Sequence, residues 1–150
     1  MNFELPNSLQ GTYSCKGATL ITLAFIEQTI RKEHNADLQP LLLTPYGFIR
    51  CDIDLEDSSE NLFNATAQEN QYTFNLGCIA SYRNSFINDI EAETPDIKAK
   101  DNGTLLNLKN VTIYSNGLTQ SMAYPSSKFP EFAIFVDQIL GFSLVPRIAE

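Results

Sequence analysis

The amino-acid sequence predicts a mainly β fold, a small barrel-like or rolled antiparallel sheet with one or two short helices at most. Short apolar runs rich in Thr, Ile and aromatic residues alternate with turn signals built from Pro, Gly and Asn. The 150 residues are enough for one domain that buries roughly two-thirds of its unfolded surface. A hydrophobic fraction of 43% with 19% charged residues is typical of a folded globular protein.

The first forty residues contain the element that is hardest to assign. Residues 1–16 are predicted to be irregular, because proline and glycine interrupt them. Residues 18–38 support two interpretations. Thr and Ile in the first half favour a strand, whereas Phe25, Ile26 and Ile30 stand at helical spacing. We favour a strand with a long polar hairpin and keep a helix as the alternative, since short apolar runs do not separate the two.

A β-hairpin follows, formed by strands at about 38–44 and 47–55. The four residues Thr-Pro-Tyr-Gly at 44–47 form a turn signature between two β-favourable runs. Within the second strand, apolar and acidic residues alternate along the stretch CDIDLE, which comprises Cys51, Asp52, Ile53, Asp54, Leu55 and Glu56. Side chains alternate between the two faces of a strand, so we expect the cysteine inward and the three carboxylates outward.

The middle of the chain is predicted to hold a third strand within 71–82, with a bulge or bend at Gly77. A short helix could follow it, because four apolar residues stand at helical spacing: Ile79, Tyr82, Phe86 and Ile90. Residues 91–102 are polar and charged, which is typical of a loop. We therefore expect a single domain over 1–150. It could consist of two sub-halves, 1–90 and 103–150, joined by that polar loop.

The last third is predicted to be β structure. Residues 103–117 alternate, but the phase shifts near Lys109, as a β-bulge would produce. Asn116-Gly117 is a strong turn signal. Both faces of 129–145 are apolar, which is typical of a strand buried on both sides. A glycine–leucine pattern after residue 17 is weakly repeated after residue 103, so an internal duplication stays open.

This last third resembles the Sm-like and SH3-type small barrels. LLNLKNVTIYSNG is similar to the Asn-containing strand of the first Sm motif, and FAIFVDQILGFSL is similar to the closing strands. The resemblance implies a small barrel and gives Asn107 the place of the loop Asn that contacts uracil in Sm proteins. The family's acidic residue four positions earlier is Gly103 here, and the Arg-Gly of the second motif is missing before Gly141. The barrel is therefore expected, and the RNA site is not.

The candidate chemistry is sparse. Asp52, Asp54 and Glu56 are weak candidates for a metal site, because no glycine allows the tight turn of a calcium loop. His34 is the single histidine and stands in a polar segment, so no His-based catalytic scheme is favoured. Cys51 as a nucleophile would depend on that histidine. We assign no catalytic residue and expect no cofactor.

Charge and cysteine usage limit the partners. A net charge of −8 makes nucleic acid an unlikely partner, because phosphate binding depends on Lys and Arg. No run approaches the roughly 20 apolar residues of a membrane span, and the first residues do not resemble a signal peptide. Three widely spaced cysteines are expected to be reduced and buried: Cys15, Cys51 and Cys78. We expect a cytoplasmic protein without membrane contact.

These observations favour a non-enzymatic β-barrel module that acts through self-association or a protein partner. The aromatic-rich closing strands suggest the interface, with Phe132, Phe135 and Phe142 as its candidates. Two alternatives remain: a metal-dependent hydrolase that uses the surface carboxylates, and an Sm-type RNA binder that uses Asn107.

Overall fold

A computed structural model describes residues 2–55, 63–66, 71–115 and 127–148. They form two α-helices, α1 (Cys15–His34) and α2 (Ile79–Glu93). They also form seven β-strands: β1 (Leu38–Thr44), β2 (Gly47–Ile53), β3 (Phe63–Thr66), β4 (Gln71–Phe74), β5 (Leu105–Tyr114), β6 (Ser127–Phe135) and β7 (Gly141–Pro146). The chain divides into two compact units. The sheet unit comprises Cys15–Glu56 and Thr104–Glu150, and the helical unit comprises Met1–Ser14 and Asp57–Gly103.

The fold is mixed α/β, so the prediction of a mainly β protein is wrong in its class. Five antiparallel strands of the sheet unit form one sheet in the order β6-β5-β2-β1-β7. The two edge strands, β6 and β7, do not pair with each other, so the sheet is not closed into a barrel. The predicted hairpin is confirmed as β1 and β2, joined at the Pro-Tyr turn.

The segment for which we favoured a strand is the helix α1. Its buried residues are Gly17, Leu20, Leu23, Ala24 and Glu27, which recur every three or four positions and form one helical face. Three threonines that suggested a strand donate their hydroxyl protons to the carbonyl four residues earlier, at Thr19, Thr22 and Thr29. The helix ends at His34. The next residue, Asn35, forms a left-handed cap with a positive φ of 51°, and its N–H donates to the Arg31 carbonyl.

The core of the sheet unit lies between α1 and one face of the sheet. Its buried residues come from the helix, from the strands and from the 3-10 turn after β6: Leu20, Leu23, Ala24, Leu42, Ile49, Cys51, Ile53, Leu106, Leu108, Val111, Ile134, Val136 and Ile139. Burial of such apolar side chains stabilises a fold by about 1.5–3 kcal/mol each. The opposite face carries Leu41, Arg50 and Asp52, since each follows or precedes a core residue on its strand, and it carries Gln39, which stands two residues before Leu41.

Two local irregularities shape this sheet. Pro40 lies in β1 and has no N–H to donate, and the β1–β2 ladder begins one residue later, at Leu41 opposite Arg50. On β2, one residue separates Arg50 from Asp52, whereas on β5 two residues separate their partners, Thr112 and Lys109. The extra residue is Asn110, with a positive φ of 51°. The bulge predicted near Lys109 is confirmed.

The helical unit contains the hairpin of β3 and β4, a 3-10 turn at Leu76–Cys78 and α2. The predicted strand is therefore shorter than 71–82, and the predicted helix after it is confirmed as α2. Gly77 is not in a bulge: it lies in the 3-10 turn, where its N–H donates to the Asn75 side chain at 3.1 Å. The Asn116-Gly117 turn lies outside the described residues.

Neither α1 nor α2, the helices of the described ranges, combines the length and the apolar content required to cross a membrane.

Candidate functional site

The acidic stretch of β2 folds with the alternation that the sequence predicts. Cys51 is fully buried and Ile53 lies beside it in the core, while Asp52 and Asp54 point to the opposite face. Glu56 lies outside the described residues. Burial, with a smaller contribution from the Asp52 charge, raises the pKa of the Cys51 thiol. The thiol therefore stays protonated and is unsuited to nucleophilic attack.

Asp52 is held by an arginine from the far end of the chain. Arg147, just after β7, donates from Nη2 to Oδ1 at 2.6 Å and from Nη1 to Oδ2 at 3.3 Å. Asn110, the bulge residue of β5, donates from Nδ2 to Oδ2 at 2.8 Å. Burial opposes ionisation of Asp52, but the hydrogen bonds from Arg147 and Asn110 outweigh it and lower the pKa of this carboxyl group.

This pair is the end of a longer series of charges that alternate in sign. Arg147 also donates from Nε to Asp37 Oδ1 at 3.0 Å, and the Asp37 carboxylate lies 3.7 Å from the Arg31 guanidinium. Arg31 in turn pairs with Glu27, which is buried on the inner face of α1. We call these five residues the charged cluster. It connects the end of α1, the residue before β1, the end of β2 and the residue after β7.

A second arginine lies on the same face of the sheet. Arg50 is only 8% exposed, and its Nη1 donates to the Pro146 carbonyl at 2.9 Å and to Gln39 Oε1 at 3.4 Å. Its Nε is buried without a hydrogen-bond partner in the described part of the chain. Arg50 and Arg147 thus both attach the end of β7 to β2, across the point where Pro40 ends the β1–β2 ladder.

Sequence reasoning missed the arginines of this site. Asp52 and Asp54 attracted attention because they are close in sequence, whereas Arg147 is 95 residues from Asp52 and no local pattern connects them. Arg50 could have been found, because it alternates with Cys51 and so has to share a face with Asp52.

In the structure, side-chain donors already bind the two carboxylates that we considered as metal ligands, Asp52 and Asp54. Both oxygens of Asp52 accept hydrogen bonds, and Asp54 lies 3.4 Å from the Lys109 ammonium. Across residues 2–55, 63–66, 71–115 and 127–148, no three Asp, Glu, His or Cys side chains are close enough to hold a metal ion. The hypothesis that includes Glu56 stays a prediction, because that residue is outside these ranges.

Asn107 lies within strand β5 and not in a loop, so its expected position is corrected. It is the register partner of Ala133, and its backbone carbonyl accepts the Asp54 N–H at 2.9 Å. Its side-chain oxygen Oδ1 is buried and has no hydrogen-bond partner among the residues that the structure describes. An unsatisfied amide oxygen is costly, so this atom is a candidate contact for a donor.

The three predicted interface phenylalanines differ in exposure. Phe132 packs against the core of the sheet unit. Phe135, the last residue of β6, is 53% exposed, and Phe142, on β7, is 50% exposed. The structure thus leaves two of the three accessible, one on each edge strand.

The remaining candidates lie apart from the charged cluster. His34 is exposed at the end of α1, as expected for a polar segment. Cys78 is buried, but Cys15 is exposed, so the expectation of three buried thiols is wrong for Cys15. Cys15 is the first residue of α1 and does not belong to its buried face, which begins at Gly17.

Comparisons of the chain with protein-family models, with curated proteins and with solved structures find no match.

Proposed function

We propose that the sheet unit is a rolled, Sm-like or SH3-type module without catalytic activity, and that it associates with further copies of itself through its edge strands. The observation that carries this proposal is that two different edge strands, β6 and β7, each have a partner strand on one side only among the described residues.

The connection between the two edge strands supports a rolled sheet. The Val136 N–H donates to the carbonyl of Thr104, the residue before β5. The Leu140 N–H donates to the carbonyl of Leu43, which lies in β1. The four peptide steps between Val136 and Leu140 span at most about 14 Å. In a flat sheet, strands at the two edges would lie four spacings apart, about 19 Å. The sheet therefore has to curl, as the resemblance to small barrels implies.

The edge strands differ in a way that favours association. An unpaired strand edge presents backbone N–H and C=O groups that another strand can bind, and proteins usually protect such edges with charge or proline. β6 has Lys128, Pro130 and Glu131. β7 reads GFSLVP, with no charged residue and with the exposed Phe142. β7 is therefore the less protected edge.

A second copy is the occupant that we propose for this edge. β6 and β7 are different strands, so pairing β7 of one copy with β6 of the next would be head-to-tail, which generates rings or filaments. Phe135 and Phe142 would gain burial in such a contact. Burying an aromatic side chain contributes about 1.5–3 kcal/mol to association. This contribution opposes the electrostatic repulsion between two copies that both carry a net negative charge.

Light scattering coupled to size-exclusion chromatography tests the proposal. The wild type is expected to elute as an oligomer whose mass falls on dilution, and Phe142→Asp to shift it toward the monomer. Phe25→Asp is the matched control, because Phe25 is 56% exposed and lies on α1, not on either edge strand. A wild-type monomer at high micromolar concentration, or an equal effect of both substitutions, would contradict the proposal.

RNA binding is the second candidate. The observation that favours it is the buried Oδ1 of Asn107, which has no hydrogen-bond partner within the described ranges. The uracil N3–H is a donor of the kind that this oxygen lacks. The charge of −8 and the neighbouring Asp54 oppose it. Fluorescence anisotropy with labelled oligo(U) at low salt is the measurement. Affinity that Asn107→Ala removes would support RNA binding, and no affinity would exclude it.

A further inference from the structure

Arg50 is a buried cation on the face of the sheet opposite the core. It lies on β2, and its side chain is only 8% exposed. Among the described residues, no carboxylate forms an ion pair with its guanidinium group. Asp52 shares this face, but both of its oxygens accept hydrogen bonds from Arg147 and Asn110. Arginine is rarely buried without a partner of opposite charge, because removing a charge from water is costly.

The hydrogen bonds of Arg50 use one nitrogen of its guanidinium group. The bonds to the Pro146 carbonyl and to Gln39 both leave from Nη1, and both acceptors are uncharged. Nε is buried, and nothing in residues 2–55, 63–66, 71–115 and 127–148 accepts its proton. Nε and Nη2 lie along one side of the planar group, the side that matches the two oxygens of a carboxylate. The position therefore lacks a planar anion with two acceptor oxygens.

The strands on either side of β2 indicate which anion fits. Leu41 of β1 and Thr112 of β5 are the register partners of Arg50, so their side chains flank it on the same face. Leu41 offers an apolar surface on one side, and Thr112 offers a hydroxyl group on the other. A hydrocarbon chain would gain apolar contact with Leu41, which an inorganic anion does not. These neighbours favour a carboxylate that carries a short hydrocarbon chain.

We propose that Arg50 binds the carboxylate group of a small aliphatic acid on this face of the sheet. The carboxylate accepts from Nε and Nη2 and neutralises the guanidinium group, and the hydrocarbon chain lies against Leu41. A monocarboxylate matches the single charge of Arg50, whereas further negative charge would be repelled by a chain whose net charge is −8. Arg50 lies on β2, inside the sheet, so this site does not depend on association through the edge strands.

Nuclear magnetic resonance of the arginine Nε–H groups tests the proposal directly. The isotope-labelled full-length chain is titrated with sodium acetate, propionate and butyrate, and with sodium chloride and sodium phosphate at matched ionic strength. The Nε–H signal of Arg50 is identified by its absence from the spectrum of Arg50→Lys. The signals of Arg31 and Arg147 are internal controls, because both side chains are already paired with carboxylates.

The Arg50 signal is expected to shift and to saturate at millimolar acid, with tighter binding of propionate and butyrate than of acetate, and to shift several-fold more than the two controls. Arg50→Lys keeps the charge but loses the paired donors, so propionate should no longer raise its melting temperature above that in chloride.

Three results would each overturn the proposal: no saturation with any of the acids, an equal shift in chloride, or binding of phosphate without binding of an acid. The titration of the wild type decides the matter even if Arg50→Lys does not fold. Phe142→Asp should bind propionate like the wild type, which separates this site from association through the edge strands.

Discussion

Replacing Arg147 by alanine removes the cation that joins Asp52 to Asp37 in the charged cluster. Arg147 bonds to both oxygens of Asp52 and also to Asp37, so its loss leaves a half-buried carboxylate with Asn110 as its remaining side-chain donor. The end of β7 then stays attached through Arg50, through the backbone ladder with β1 and through the bond from the residue 147 N–H to the Asp37 carbonyl.

The magnitude follows from the exposure of the pair. The side chains of Arg147 and Asp52 are 27% and 29% exposed, between a surface ion pair and a buried one. Exposed pairs contribute about 0.2–1 kcal/mol, and hydrogen bonds to charged groups about 1.5–3 kcal/mol. Discounting the latter for solvent screening, we expect Arg147→Ala to lower the free energy of unfolding by about 1–2 kcal/mol at pH 7. Lys32→Ala, which removes an exposed cation of α1, should change it by less than about 0.5 kcal/mol.

The pH dependence gives the effect a sign. The folded-state pKa of Asp52 lies below its ordinary value of about 3.9, so the ionised carboxylate stabilises the fold above that value. That stabilisation is lost as the pH falls through the folded-state pKa. Urea unfolding followed by circular dichroism should therefore show a difference between wild type and Asp52→Asn that is full at pH 7 and shrinks below about pH 4. A difference that persists unchanged at pH 3, or an Arg147→Ala variant as stable as the wild type at pH 7, would refute the reasoning.

Three further predictions concern the backbone and the thiols. Gly47→Ala should destabilise the sheet unit by more than about 2 kcal/mol in the same urea assay, because its φ is +142° and an added Cβ would lie 2.1 Å from a backbone oxygen of β5. Asn110→Val should cost about 1–2 kcal/mol, since a β-branched residue is strained at a φ of 51° and the bond to Asp52 is lost, whereas Asn110→Gly should lose only the bond. With a colorimetric disulfide reagent at pH 8, the native protein should react quickly at Cys15 and slowly at Cys51, which burial protects, so rapid reaction of both thiols would contradict the structure.

The parts of the fold that the sequence predicts correctly are those with a local cause. The hairpin of β1 and β2 follows from four turn residues, and the alternation of β2 follows from the period of a strand. The bulge at Asn110 was visible because one extra residue shifts every later side chain to the other face. Each of these features is decided within about ten residues.

Helix α1 was missed because its pattern includes a buried charge. The inner face of α1 becomes evident only if Glu27 counts with Leu20 and Leu23 as a core-facing residue. A buried carboxylate is acceptable there because Arg31, one turn later, pairs with it. The threonines also favoured a strand, yet their hydroxyl groups are satisfied by the helix's own carbonyls. The burial of the inner face of α1 thus outweighed the intrinsic β preference of its threonines.

The charged cluster could not be predicted from the acidic stretch alone, because its meaning depends on strand order. Asp52 becomes a partner of Arg147 only once β7 returns beside β1, and β7 returns only because the connection after β6 is short. The same return leaves β6 and β7 as edges. The carboxylate that suggested a catalytic or metal site therefore helps to fasten the last strand, whereas the outer backbone edge of that strand has no partner strand among the described residues and the phenyl ring of Phe142 is exposed. This division is why we look for self-association at the edges of the sheet and not at its acidic face.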